Sequence, residues 1–413
     1  MRNHVLRNEI SQEVHARPFQ KLYPEMGVVH VAATCQDDEK QALLDYLQEI
    51  MQQNNIPLPD DPSRFFHSSG ETMAVRYEPH NEFYTLTLYQ LDERSTDRLH
   101  TYWKNFPGAL LCCVEILFEG EDAGEPNLKE YFGDRQVSAS FVMGGAARVG
   151  TDFYPAGEEG LVRILVQNVS LKTFQAGRLI QRLCEIETYR HTALLALPDA
   201  KRVMPQITEM DKQLAQITHK IAESSNSQEL LQELMVLAAN VEELSAETAN
   251  RFSASEAYFT VLDNRITELR EDRIEGFQTM AQFVERMLDP ARKTCLSANA
   301  RIERLSIRIA RATELIRSQV DLSIEQQNQQ HLTGLNDRSR RQLRLQAKLE
   351  SFTIIVVTYY AFDLVERSIR NTVPAEELRD DILLWVSFSV PLIAGVLWWY
   401  VRRLLKHYGE DDL

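Results

Sequence analysis

Twenty consecutive residues, Ile382–Val401 (ILLWVSFSVPLIAGVLWWYV), carry no charge. Few folds accommodate such a run, because its backbone polar groups need partners wherever its side chains are buried. As a helix it extends about 30 Å, the thickness of a bilayer's hydrocarbon core, and a helix satisfies its own backbone there. The run ends in Trp398, Trp399 and Tyr400, then Arg402, Arg403 and Lys406, the aromatic belt and basic flank of a membrane boundary. The sequence therefore predicts a C-terminal membrane helix. The preceding run, Phe352–Val365 (FTIIVVTYYAFDLV), has 14 residues including Asp363 and reaches only about 21 Å. It spans if 349–369 is one helix whose charged ends snorkel. The expectation is a two-helix transmembrane hairpin over 349–404, with a short acidic tail at 405–413.

Charge orients the hairpin. Arg338, Arg340, Arg341, Arg344 and Lys348 precede the first run, and Arg402, Arg403 and Lys406 follow the second. Between the runs, Arg367, Arg370 and Arg379 are outnumbered by Glu366, Glu376, Glu377, Asp380 and Asp381. The positive-inside rule puts both flanks, and with them both termini, in the cytoplasm. The opening residues MRNHVLRNEISQEVHARPF are charged throughout and read as no signal peptide. The five cysteines (Cys35, Cys112, Cys113, Cys184, Cys295) form no CxxC pair, which suits a reducing compartment. Cys112 and Cys113 lie in the apolar run Ala109–Phe118 and read as core residues pointing to opposite faces of a strand. A net charge of −15 argues against nucleic acid as a partner.

Residues 1–170 hold 11 of the 16 glycines and read as a mixed head. Strands are expected near Gly27–Cys35, Glu71–Glu78, Glu82–Gln90, Ala109–Phe118, Gln136–Met143 and Leu161–Val169, with helices over Asp37–Gln53 and Glu93–Asn105. The order β-α-β-β-α-β-β-β suits an α+β sandwich on one mostly antiparallel sheet. From 171 to 348 seams of helical spacing recur. Met210, Leu214, Ile217 and Ile221 form one, Leu230, Leu234, Leu237, Val241 and Leu244 a second, and Ile302, Leu305, Ile309, Ala312, Ile316 and Val320 a third. Breaks are expected at Ser224–Ser227, Asp289–Pro290 and Gly334, giving a stalk of antiparallel, coiled-coil-like helices.

No Walker loop, GxGxxG, GxSxG or HExxH motif is present, which removes the commonest catalytic signatures. Three constellations remain. In Glu13-Val14-His15-Ala16-Arg17-Pro18, His15 and Arg17 could grip an anion, act as acid and base, or pin the N-terminus to the sheet. In Glu78-Pro79-His80-Asn81-Glu82, the acids and His80 share strand parity and could converge on a divalent metal or polar ligand, or simply flank a hairpin turn. From Gly177 onward, Arg178, Arg182 and Glu185 form one helical stripe, and Arg182–Glu185 and Glu187–Arg190 can pair at i, i+3. That helix reads as one that docks a stalk onto the head. Asp152 reads as a turn acid after the glycine-rich stretch Gly144, Gly145, Gly150.

Several longer segments resemble a known family: EVHARPF (Glu13–Phe19), YEPHNEF (Tyr77–Phe83), TDFYPAGEEG (Thr151–Gly160), GRLIQRLCEIETYRHTALLALPDA (Gly177–Ala200), RFSASEAY (Arg251–Tyr258), RITELREDRIEGFQT (Arg265–Thr279) and LRLQAKLESFTIIVVTYY (Leu343–Tyr360). The chain resembles the bacterial membrane-anchored family catalogued as domain of unknown function 3422. The resemblance implies an inner-membrane location and this architecture, and brings no activity. In architecture alone the chain is also similar to the CorA-type magnesium channels, which implies a homo-oligomer. Their signature Gly-Met-Asn is replaced here by Phe362-Asp363-Leu364-Val365.

The expectation is therefore an oligomeric protein of a bacterial inner membrane, whose cytoplasmic head binds a ligand or partner and whose stalk scaffolds or transmits. One alternative is an ion channel lined by Tyr359, Tyr360 and Asp363 in the first run and Ser387 and Ser389 in the second. The other is a metal-dependent hydrolase centred on His15, His80 and Glu82.

Overall fold

Alternation of apolar residues builds the centre of the head. A computed structural model describes residues 4, 7, 19–120, 128–155, 160–223, 227–372 and 376–408. Strands β1 (Met26–Thr34), β2 (Phe66–Ser69), β3 (Met73–Pro79), β4 (Tyr84–Gln90), β5 (Ala109–Glu119), β6 (Ser138–Val142), β7 (Ala147–Thr151), β8 (Leu161–Asn168) and β9 (Asp272–Arg273) form one sheet. Its order is β2-β3-β4-β1-β5-β8-β7-β6-β9. Only the central β5–β8 pair is parallel among these neighbours.

Both faces of the sheet are covered, so its strands are apolar on both sides. On one face, Val29, Val31, Leu86 and Leu88 pack with Leu43, Leu47 and Ile50 of helix α1 (Lys40–Gln53) and Leu99 of α2 (Asp97–Trp103). Cys113 belongs to this face, and its neighbour Cys112 lies on the other, as alternation requires. A short helix, α3 (Leu128–Phe132), precedes β6. On the second face, Val28, Val114, Ile116 and Val166 pack with Leu179, Ile180, Leu183 and Ile186 of α4 (Thr173–Leu194). Helices α5 (Ala196–Ala222) and α6 (Ser227–Leu269) follow, then α7 (Met280–Thr372) and α8 (Glu376–Tyr408). Phe259 and Leu262 of α6 and Val284 and Leu288 of α7 join the same core.

The first two helical seams hold α5 against α6. Leu214, Ile217 and Ile221 are buried, as are Leu230, Leu234, Leu237, Val241 and Leu244. Ion pairs Lys220–Glu233 (3.2 Å) and Arg202–Glu247 (2.8 Å) show that the two helices run antiparallel. The third seam is buried from Ile302 to Ile316. Arg301 and Arg308 of α7 both reach Asp211 of α5, at 3.1 and 2.6 Å.

The expected breaks divide. The one at Ser224–Ser227 falls mostly on 224–226, outside the described residues, while α7 runs without interruption through both Pro290 and Gly334. The loss of one intrahelical bond at Pro290 does not end a helix whose flanking positions Leu288, Cys295 and Ala298 are buried. The chain turns instead at 270–279, where Glu271 accepts from the N–H groups of Met280 and Ala281 at 2.9 and 2.8 Å and so caps α7. Strands β2, β7 and β9 were not expected either. Gly144 and Gly145, at positive φ, make the turn from β6 into β7, and Gly150 lies within β7, where a side chain would strike Leu128.

The chain divides into two compact units, 1–314 and 315–413. In the second, the apolar side chains face outward: Phe352, Ile355, Tyr359, Leu384, Trp385, Phe388 and Leu392 are all exposed. Among the described residues one helical segment, Ile382–Tyr400, is long and apolar enough to cross a membrane. The run Phe352–Val365 lies inside α7 and does not meet that measure.

Candidate functional site

A row of polar side chains crosses the sheet where core would be expected. In register across β2, β3, β4 and β1 stand His67, Arg76, Thr87 and His30. Arg76, Thr87 and His30 are each buried. The same face carries Glu78 and Thr85 in the adjoining row. Burying polar groups costs free energy unless each finds a partner, so such a layer under a helix marks either a specifying network or a site.

His30 sits at the centre of this layer. Its ring nitrogens lie 2.8 Å from Thr87 Oγ1 and 2.8 Å from Thr188 Oγ1 of α4, so one accepts and the other donates. Burial, then the charge of Arg76 and the proximity of His80, pushes its pKa down to about 3 and keeps the ring neutral. His67 is lowered by the same two influences, burial and Arg76, and its buried Nε2 has no partner among the described residues. Arg76 is answered by Glu78 at 3.2 Å.

Above this layer opens a cleft of about 460 Å³, lined by Phe19, Glu78, Arg178, Gln181, Arg182, Glu185, Tyr189, Arg265 and Glu268. It lies between β3, α4 and α6. A smaller cavity of about 30 Å³ continues beneath it to His30, Arg76 and Thr87, sharing Glu78, Gln181, Glu185 and Tyr189 as walls. That space holds about one or two waters. The larger volume is in the range of small-molecule sites, roughly 300–1,000 Å³.

The cleft walls are ionic. Arg182 pairs with Glu268 at 3.0 Å, and Arg265 bridges Glu268 (3.1 Å) and Glu185. Gln181 donates to Glu185 at 2.7 Å, while its buried Oε1 accepts nothing among the described residues. Tyr189 has its pKa raised to about 12 by burial, then by Glu185 and Glu78, so its phenol stays protonated. Arg178 lies 5.0 Å from the centre of the Phe19 ring and makes no ion pair among the described residues.

The backbone positions this rim closely. Leu22 N–H donates to Thr173 O, and a Cβ on Gly177 would lie 1.8 Å from the carbonyl oxygen of Gln20. Only glycine lets the chain at 19–22 cross α4 so tightly, and this crossing brings Phe19 to Arg178.

Two of the three sequence constellations therefore meet. Glu78 of the hairpin and Arg178, Arg182 and Glu185 of α4 line one cleft. The expected Arg182–Glu185 pair is replaced by two pairs across to α6, because Arg265 and Glu268 offer partners from a second wall. Glu187–Arg190 does form, at 2.6 Å, with Glu187 fully buried, and Arg190 lies 5.3 Å from the Phe153 ring centre. That pair belongs to the packing of α4 on the sheet and lines neither cavity.

The hairpin acids do not converge. Glu82 is held by Arg251 (3.0 Å) and Tyr258 (3.2 Å) of α6, Glu78 by Arg76, and His80 stacks on Phe83 with ring centres 4.3 Å apart. Among the described residues no group of three or more His, Cys, Asp or Glu side chains is placed to hold a metal ion. His15 and Arg17 lie outside the described residues. Asp152 accepts from Tyr154 N–H at 3.1 Å, as a turn acid does, and pairs with Arg135 at 2.9 Å. In α7, Asp363 pairs with Arg367 one turn on (3.1 Å), and the rings of Tyr359 and Tyr360 lie 5.9 Å apart.

Sequence reasoning missed Arg76, Gln181, Tyr189, Arg265 and Glu268. Arg76 left a trace, being a charge inside an otherwise buried strand (MAVRYEP). The α6 pair left none beyond its place in a family motif, since nothing local says that α6 faces α4.

The family described as "Protein of unknown function (DUF3422)" matches residues 2–408. Among curated proteins nothing matches.

Proposed function

The chain belongs to the DUF3422 family, proteins of unknown function, and on that premise we propose that it is a membrane-anchored binding protein. The head holds a ligand or partner in the α4–α6 cleft, and the long helices scaffold or transmit that event. The observation that carries the reading is the cleft itself, about 460 Å³ walled by charged groups above a buried polar layer. A sheet with no ligand to serve would be covered more stably by apolar side chains.

Anchoring is supported by the exposed, uncharged face of Ile382–Tyr400. The weaker run in α7 would complete a hairpin, its ion pairs Asp363–Arg367 and Glu366–Arg370 (2.6 Å) easing the charged end toward the interface. Basic residues outside both runs orient the head and both chain ends to the cytoplasm of a bacterial inner membrane. Self-association is supported by apolar side chains along α7 that the chain itself leaves exposed, Leu322, Ile324, Leu332, Leu335, Leu343 and Leu345.

The test is native mass spectrometry of full-length protein in nanodiscs, after alkaline carbonate washing of membranes. The expected result is carbonate-resistant protein, more than one subunit per particle, and a retained small molecule or partner that Arg265→Ala releases. Protein that washes off removes the anchor. A particle that retains nothing in its cleft removes the binding role.

A further inference from the structure

The groups in the cleft divide into those already satisfied and those left over. Glu78, Glu185 and Glu268 each have an arginine partner. Among the described residues four guanidinium groups, Arg76, Arg178, Arg182 and Arg265, face these three carboxylates, an excess of one positive charge there in a protein whose net charge is −15. The excess sits on Arg178, which has only the Phe19 ring beside it among the described residues. Arg178 is itself exposed at the rim of the cleft, so this excess charge is presented directly to what enters from solvent.

Two neutral groups complete the inventory. Among the described residues the buried Oε1 of Gln181 has no donor, and its own N–H is committed to Glu185, so the amide is fixed with its oxygen left over. An unsatisfied buried acceptor is unfavourable, and a ligand donor would recover that loss. The Tyr189 hydroxyl remains protonated and forms no hydrogen bond among the described residues, so it can donate to an oxygen or accept.

We propose that this cleft binds a small organic oxyanion, a carboxylate or phosphate, that also carries a hydroxyl or amino donor. The oxyanion meets the fork of Arg178, whose planar donors suit either group. The hydroxyl or amino hydrogen meets Gln181 Oε1, and Tyr189 closes on the remaining oxygen. An anion without a donor would leave Gln181 unsatisfied, and a neutral polyol would leave Arg178 unanswered. A divalent cation is disfavoured by the same inventory, since no cleft carboxylate is free of a guanidinium.

This inference rests on the cleft being a binding site and names what it takes. The experiment is isothermal calorimetry on full-length detergent-solubilised protein, with L-malate and glycerol 3-phosphate as probes and succinate and glycerol as controls. At least one probe should bind with a Kd of about 1 mM or tighter, and the matching control about tenfold or more weakly. Arg178→Gln should weaken that probe by about tenfold or more, and Gln181→Met should erase the preference for malate over succinate. Unchanged thermal melting of both variants keeps a folding defect from imitating the result. Binding of malate alone assigns a carboxylate, of glycerol 3-phosphate alone a phosphate. Equal binding of probe and control, or full affinity in Arg178→Gln, would overturn the proposal. Silence from both probes while native mass spectrometry still finds a molecule released by Arg265→Ala would overturn the ligand class and spare the cleft. Silence in both measurements would remove the cleft as a site.

Discussion

The head and the C-terminal helices use the same residue types in opposite ways. In the head, Leu47, Leu86 and Leu179 are shut from solvent while Arg76 and His30 are interior. In the C-terminal unit Trp385, Phe388 and Leu392 stand 78, 72 and 71% exposed. The head is held together by apolar burial against water, with a polar layer tolerated where His30, Thr87 and Thr188 satisfy one another. The C-terminal helices have no such interior, and their order rests on intrahelical bonds, with the proposed bilayer as the apolar solvent that would receive their side chains. Burial alone is therefore a poor guide to importance here, because the most exposed apolar residues are those expected to meet lipid.

Charge introduced into the outward face should break this contrast most completely. Leu392→Arg with Val396→Arg near the middle of α8 should disfavour insertion by about 5–7 kcal/mol. Carbonate extraction should then find the variant in the supernatant, while circular dichroism still reports a folded head. Retention of the double variant in the membrane would mean that α8 is not the anchor.

Removing core from the head should act on the opposite side of the comparison. Leu183→Ala, between α4 and the sheet, should lower the head's stability by about 2–5 kcal/mol in a denaturant melt. Leu392→Ala should leave that melt unmoved.

The polar layer should announce itself through pH. His30 titrates near 6.5 in an unfolded chain and near 3 in the fold, so below pH 6.5 the unfolded chain binds a proton that the folded one refuses. Its contribution is intact above that pH and is lost as the pH falls toward 3, on the order of a few kcal/mol at the acid end. His30→Gln should flatten this part of the stability profile relative to wild type. An unchanged slope between pH 6.5 and 4 would show that other groups set it.

Smaller effects should separate backbone fit from surface charge. Gly177→Ala should force 19–22 away from α4 and destabilise the head by about 1–3 kcal/mol, with Phe19 lifted from Arg178. Asp263→Ala should matter least. Its paired contacts with Arg292 (3.1 and 2.7 Å) are half exposed, and thermal melting should register about 1 kcal/mol or less.

Much of this was legible locally. The alternation in 82–90 located β4, and the spacing in 230–244 located the face of α6 that α5 covers. The opposite faces of Cys112 and Cys113 followed from strand geometry alone. What misled was equally local. Gly144, Gly145 and Gly150 suggested a turn where a turn and a strand share the glycines, and Pro290 and Gly334 suggested helix ends where neighbouring residues keep the helix going. Glu78, His80 and Glu82 share parity, yet α6 supplies Arg251 and Tyr258 to the last of them, and the convergence is lost.

By itself the sequence determined the periodic elements and the uncharged run at 382–401, because period and charge act on a segment whatever surrounds it. Only the tertiary structure decided that Glu78, Arg178 and Arg265 share one cleft. These residues come from β3, α4 and α6, and the packing that brings them together is long-range, written in no spacing along the chain. The arginine left without a carboxylate among the described residues is likewise a property of the assembled walls, since a charge becomes available for a ligand only after every neighbour has chosen its partner.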